Sequence, residues 1–342
     1  VQGDDFEALQ QYLRDQSIRV LMKPGHVTQG FLYLPREEGG RYLEVRLAGD
    51  AWEREQSDGQ VAYRDEFRIG FALTLPDGEF DYERLDTEHT YGGQVLPDLD
   101  LEQLRDRLET LPCCAADADG EAGGDPLNVV IVADSQDLMY ALSRAGWSFT
   151  HRITPATVAR MVGAALEGEG YPVAPVSALY AFDRKQDIAL QRARRNIAQR
   201  NHMRLWLAPF TFEGRAVWVG QVSRDIGVKA TTASPTLTTH IIDPEVDVTR
   251  EYLLHSLLAE GFVERFGFVT GSREATPESP ATNLVDDPYF SDGLRVVMMM
   301  SSSPVPYAQV RNLQWEQSLA PIAEGQSDGA ERNVYPIHPG DG

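Results

Sequence analysis

Apolar side chains recur every third or fourth position near the start of the chain. Phe6, Leu9 and Leu13 then fall on one face of a short helix over 4–16. From Ile18 the spacing changes to every second residue, the period of a half-buried strand. It predicts strands at 18–22, 30–34, 42–47, 66–75 and 80–85, separated by turn signals such as Lys23-Pro24-Gly25 and Pro76-Asp77-Gly78. Residues 17–96 read as an antiparallel, half-solvated sheet or a small sandwich.

The pattern then alternates between helix and strand. Asp100 caps a helix whose stripe is Leu101, Leu104, Leu108 and Leu111, and Pro112 ends it. Residues 113–126 are small, acidic and glycine-rich, and read as a linker loop. The run 127–133 is apolar throughout, as in a strand covered on both faces. A helix over 136–145 follows, capped by Ser135 and closed by Gly146. Thr154 and Pro155 start another helix, to about Leu166. Strand patterns follow at 177–182 and 186–191, the second also compatible with helix. Segments 203–208 and 216–222 suit a hairpin around Glu213-Gly214. Asp243-Pro244-Glu245 resembles a helix start, with Asp243 or Asp247 as the cap, Leu254, Leu257 and Leu258 inward and Gly261 closing it. A polar loop at 271–287 and late strands at 294–300 and 308–313 complete the pattern.

The expected class is α+β or α/β. A β-rich domain spans 1–97, a mixed αβ domain with a central sheet spans 98–320, and a polar tail spans 321–342.

Composition narrows the function. With 52 acidic and 31 basic side chains the net charge is −21, which repels nucleic-acid phosphates and argues against that partner. No apolar run approaches the roughly 20 residues of a membrane-spanning helix. A polar, acidic start at Val1 rather than at Met leads to the expectation of export after cleavage of a signal. The two cysteines, Cys113 and Cys114, are adjacent, so a bond between them staples no long loop. Loop thiols or an intermolecular link are the plain readings, with a redox or metal role as the alternative.

Several strings occur together in order: LPCC at 111–114, GDPLNVVIVAD at 124–134, APVSALYAFDRKQDIALQ at 174–191, NHMRLW at 201–206, VWVGQVSRDIGV at 217–228, THIIDPEVD at 239–247 and SDGLRVV at 291–297. In content and order they resemble the LssY C-terminal domain family of bacterial proteins, over roughly residues 98–300. That resemblance implies no established reaction. It does imply work at or near a membrane, because some members carry the domain beside a membrane-embedded phosphatase-type domain. The signature of that phosphatase does not occur in this chain, so its activity does not carry over.

The candidate chemistry gathers around the predicted hairpin. His202 precedes one strand and Asp225 follows the other, which places them at the same end of an antiparallel pair, and His240 enters from the next segment. Two histidines and a carboxylate serve acid–base chemistry or bind a divalent metal, though the spacing fits no standard metal motif. Such residues are also ordinary as caps and satisfied polar contacts. Five arginines, Arg192, Arg194, Arg195, Arg200 and Arg204, lie within 13 residues, and Arg195, Arg200 and Arg204 are the candidates for holding an anion. The alternative is pairing with the chain's own carboxylates. Ser135, Ser177 and Ser223 lie outside any nucleophile-elbow motif.

The expected function is a non-catalytic, extracytoplasmic binding or assembly protein of the bacterial envelope, partnered by a membrane-associated protein or by itself. The competing reading is a hydrolase of an anionic, possibly phosphorylated, substrate, with His202, Asp225 and His240 as its catalytic or metal-bearing set. Convergence of that set in an open pocket favours the hydrolase, whereas sealing in the core disfavours it.

Overall fold

The computed structural model describes residues 3–18, 25–33, 42–48, 66–72, 80, 85–120, 122–151, 154, 156–157, 159–160, 163, 176–196, 199–230 and 238–316. The chain divides into two compact units, 1–78 and 79–342. The expected tail, 321–342, lies outside the described residues.

The first unit contains helix α1 (Gly3–Gln16) and an antiparallel pair, β1 (Tyr42–Ala48) and β2 (Glu66–Ala72), close to the predicted segments. Among the described residues, the strand expected at 30–34 contributes a bridge, Phe31 with Ser17. Most of the strand expected at 18–22 lies outside the described residues. Phe80, in the second unit, forms a bridge with His151, while 81–84 lie outside the described residues.

The second unit is built on a mixed sheet. Its elements in chain order begin with β3 (Asp98–Leu99), α2 (Leu101–Glu109), β4 (Cys114–Ala116), β5 (Ala122–Pro126), β6 (Val129–Val132) and α3 (Ser135–Arg144). Next come β7 (Ser148–Phe149), β8 (Tyr180–Ala181), β9 (Arg184–Lys185), β10 (Ile188–Asn196), β11 (Gln199–Phe212), β12 (Arg215–Ala230) and β13 (Thr238–Ile242). Helix α4 (Val246–Glu260), β14 (Val263–Ala275), β15 (Ala281–Thr282), β16 (Pro288–Tyr289), β17 (Ser291–Met300) and β18 (Arg311–Asn312) follow among the described residues. The main sheet runs β18-β14-β17-β6-β12-β11-β10-β7, with β13 beside β12 and β3 beside β11. β6 lies parallel to β17 and antiparallel to β12, so its all-apolar sequence is buried on both faces, as the pattern predicts.

Alternation sorts the sheet residues into two cores. Met203, Leu205, Trp218, Ile131 and Met298 face α3 and α4, packing on Leu138, Leu142, Leu253 and Leu257. Trp206, Phe210, Val219, Val130 and Met299 face the other way, onto Leu104 and Leu108 of α2 and Ala115 of β4. The β11–β12 hairpin turns at Glu213 and Gly214, both at positive φ (51° and 72°), the conformation that matches the twist of a two-residue hairpin.

Several local expectations change. Residues 113–126 are not a linker: they form the β4–β5 hairpin, which joins β8 and β9 in a small second sheet. Small side chains serve close packing there, since a Cβ on Gly124 would lie 2.7 Å from the Ala115 carbonyl oxygen. Residues 271–287 are not all loop, because β14 runs through Gly271 to Ala275. Helix α3 takes Asp134, not Ser135, at its cap position, and α4 takes Glu245, with no side-chain cap bond in either case. Asp243 instead accepts from Glu245 N–H at 3.1 Å in a turn, and pairs with Arg224. Asp247 accepts from Ser291 Oγ and the Asp292 N–H, tying the first turn of α4 to β17. Other end signals hold: Asp100 and Gln103 form a capping box, Thr154 Oγ1 accepts from Thr157 N–H at 3.2 Å, and Gly261 closes α4 at φ 76°.

Arg250 completes that tie. It is 1 % exposed and grips Asp292 with two bonds, of 2.7 and 2.9 Å. Burial alone would raise the Asp292 carboxyl, but the Arg250 bonds outweigh it and hold the group below its ordinary 3.8. A lowered carboxylate contributes stability that is complete above its unfolded value and lost as pH falls through the folded one. Asp292→Asn should therefore flatten the fall in stability below about pH 4, measured by urea unfolding across pH. An unchanged acid limb would refute the clamp.

Candidate functional site

The alternation that builds the α2-side core brings polar residues together at the other end of the same face. On β11 these are Arg200, His202 and Arg204; on β12 they are Gln221, Ser223 and Asp225. His202 stands opposite Ser223 on one side and Gln191 of β10 on the other, and Arg204 stands opposite Gln221. Asp125 of β5, Asn283 and Ser177 reach the same group from the covering segments.

The bonds form a directed chain. Arg204 Nη1 donates to Gln221 Oε1 at 3.0 Å, and an arginine cannot accept, so the Gln221 amide has one orientation. Its Nε2 donates to Asp125 Oδ2 at 3.0 Å and to Ser223 Oγ at 2.7 Å. Ser223 Oγ thus accepts from Gln221 and also meets His202 Nε2, 2.9 Å away, where the ring's tautomer sets which of the two donates. The other ring nitrogen, Nδ1, lies 3.0 Å from Asp225 Oδ1. That last contact is an ion-pair approach that forms no hydrogen bond. Asp225 Oδ2 accepts from Arg200 Nε at 3.1 Å, and Arg200 also donates to Gln191.

A serine, a histidine and an aspartate in this order have the connectivity of an acyl-transfer triad. Their surroundings differ from one. Ser223 is 0 % exposed, Asp225 1 % and His202 6 %, and Ser223 sits within a long strand instead of on a sharp turn. Burial also acts on the cations: desolvation lowers the pKa of Arg204 against the pull of Asp125 and Asp225. A surface cavity of about 390 Å³ lies at the far end of α4, lined by His255, Leu258, Ala259, Gly261, Val305 and Tyr307, and no relay residue lines it.

One family model, described as LssY C-terminus, matches residues 108–294. The chain belongs to the LssY C-terminus family. No curated protein and no solved structure matches it. The LssY C-terminus segment contains every member of the relay, together with Asp125, Asn283 and the Cys113–Cys114 pair.

The predicted site residues thus separate. His202 and Asp225 come together. His240 lies opposite Val228 on β13, two residues along the strand from Ile242, the register partner of Asp225; its side chain is outside the described residues. The side chain of Arg195 is also outside them. Arg200 and Arg204 are buried and spent on partners within the protein: Asp225 and Gln191 for one, Gln221 and Ser177 for the other. Arg192 falls on the opposite face, over the Tyr252 ring at 5.1 Å. Among the described residues no group of three or more His, Cys, Asp or Glu side chains could hold a metal ion. His202 turns both ring nitrogens toward protein partners. Sequence reasoning missed the link from Ser223 to His202 and the parts of Asp125, Gln191 and Gln221, because polar residues alternating with an apolar one, as Gln221 and Ser223 do with Val222, look solvent-facing until both faces of the sheet are known to be covered.

Proposed function

We propose that this LssY C-terminus protein is a non-catalytic binding or assembly module of the bacterial envelope. The observation that carries this reading is the burial of the polar cluster among protein partners. Ser223 Oγ accepts from Gln221 and meets His202 Nε2, Asp225 accepts from Arg200 and lies 3.0 Å from His202 Nδ1, and the serine is fully buried. Such a network specifies one strand register and orients no nucleophile toward solvent. The disulfide between Cys113 and Cys114 suits an oxidising compartment, in keeping with an extracytoplasmic location. The membrane association implied by the family resemblance supplies the envelope partner.

The hydrolase alternative draws on one specific observation, the 2.9 Å contact of Ser223 Oγ with His202 Nε2 backed by Asp225. The two readings part on Ser223→Ala. Under the non-catalytic reading the substitution costs about 1–3 kcal/mol of stability, for the lost buried bonds, and changes no turnover. Urea unfolding gives the first quantity. Assays with a phosphomonoester, a phosphodiester and a carboxylic ester, with and without a chelator, give the second. Hydrolysis by the parent protein that Ser223→Ala or His202→Gln abolishes would overturn the proposal. Recovery of the tagged protein in the cytosolic fraction would overturn its envelope part.

A further inference from the structure

Cys113 and Cys114 are joined in a disulfide between neighbours. A disulfide stabilises a fold chiefly by restricting the unfolded chain, and its effect grows with the loop it closes. This one closes no loop of intervening residues. The backbone on either side is already held by other means. Arg295 takes the carbonyls of Leu108, Leu111 and Pro112, Leu127 N–H donates to the Cys113 carbonyl at 2.9 Å, and Cys114 pairs with Pro126 across the β4–β5 hairpin. The two residues are also unequal. Cys114 is 3 % exposed, with its sulfur 3.7 Å from the hydroxyl of the buried Tyr289, whereas Cys113 is half-buried.

We propose that Cys113–Cys114 is a reversible thiol–disulfide exchange site that takes a dithiol reductant, with Cys113 as the attacked sulfur and Cys114 as the leaving one. A thiolate of the reductant attacks Cys113 Sγ. The S–S bond breaks, and its electron pair leaves on Cys114 Sγ, where the Tyr289 hydroxyl can donate to the developing thiolate. The second thiol of the reductant then attacks its own sulfur in the mixed disulfide. This releases Cys113 as a thiolate and closes the reductant into a cyclic disulfide. Two electrons pass to the cysteine pair, and the two protons of the dithiol end on Cys113 and Cys114. Because the flanking backbone is pinned independently of the bond, the two thiols stay adjacent after reduction, and the reverse step requires no search by the chain.

Dithiothreitol is the probe. The folded full chain is incubated with it, quenched in acid, alkylated and weighed, while near-ultraviolet circular dichroism and thermal unfolding are followed in parallel. The expected result is no alkylation before reduction, two alkyl groups per chain after it, an unchanged spectrum, and an unfolding temperature within about 3 °C of the oxidised protein, equivalent to about 1 kcal/mol. Alkylation without reductant, resistance to reductant until the protein is denatured, or unfolding upon reduction would each overturn the proposal. Single-cysteine variants test the asymmetry independently of reduction. Cys114→Ser, which leaves Cys113, should react with an aromatic disulfide reagent at least ten times faster than Cys113→Ser; equal rates would overturn the assignment of Cys113 as the attacked sulfur. Tyr289→Phe should slow reduction several-fold, and an unchanged rate would remove Cys114 as the leaving sulfur.

Discussion

Asp225→Ala is expected to destabilise the second unit by about 3–5 kcal/mol, the usual cost of removing one partner from a buried ion pair. The carboxylate is 1 % exposed and accepts from Arg200 Nε at 3.1 Å. The guanidinium it serves is itself buried. Without Asp225 that cation keeps Gln191 but loses the carboxylate beside it, and the His202 ring loses the carboxylate oxygen 3.0 Å from its Nδ1. For a domain of this size each kcal/mol moves the melting temperature by about 2–4 °C, so a fall of roughly 10 °C is expected by calorimetry. The double variant Asp225→Ala with Arg200→Met should recover part of the loss, because it removes the stranded charge together with its partner. A loss under about 1 kcal/mol in the single variant would show that the relay does not hold the strand register.

Arg295→Met should cost a comparable amount, about 3–5 kcal/mol, by a different route. Arg295 is fully buried and donates to the carbonyls of Leu108, Leu111, Pro112, Leu127 and Gly271. It therefore finishes the C-terminal turn of α2 and joins it to β6, β14 and β17. Gly271 is part of the same arrangement: a Cβ there would sit 2.9 Å from the Glu109 carbonyl oxygen and 3.1 Å from Arg295 Nη1. Burial pushes the Arg295 pKa down to about 10. The folded value is below the ordinary one, so the native state sheds this proton before the unfolded chain does. The cost of burying the charge is thus present at neutral pH and fades only above about pH 10. At neutral pH the carbonyl bonds must outweigh it. Methionine preserves the apolar bulk and leaves the carbonyls without the donor. Lysine, a point charge with three donors, cannot reach all five and should recover less than half of the loss. Urea unfolding of both variants, with hydrogen exchange over 108–114, measures the effect. An Arg295→Met protein within about 1 kcal/mol of the parent would show that the carbonyls find other partners.

Much of the fold was legible because its signals are local. The all-apolar β6, the capping box at Asp100, the Glu213-Gly214 turn and the Gly261 stop each depend on side-chain chemistry within a few residues. The misreadings arose where a residue's role depends on what lies across from it. The glycines of 113–126 read as flexibility, yet they permit the close backbone approach that the small sheet needs. Asp243 and Asp247 read as helix caps because they precede an apolar run, but Arg224 on one side and Ser291 with Asp292 on the other claim them.

The candidate site divides along the same line. Sequence alone determined that His202 and Asp225 lie at one end of a hairpin, since a two-residue turn requires it. Phe212 pairs with Arg215 beside that turn, and ten residues further along each strand an unbroken ladder would set His202 opposite Asp225. An irregularity between Leu207 and Thr211 shifts the register by two, so His202 faces Ser223 instead. No local signal announces such a shift. It is set by which side chains fill the two cores, and a strand read in isolation does not contain them. Tertiary structure alone also covered this polar face with β5 and its neighbours, turning residues that alternate like a solvated edge into a buried relay with its charges paired inside.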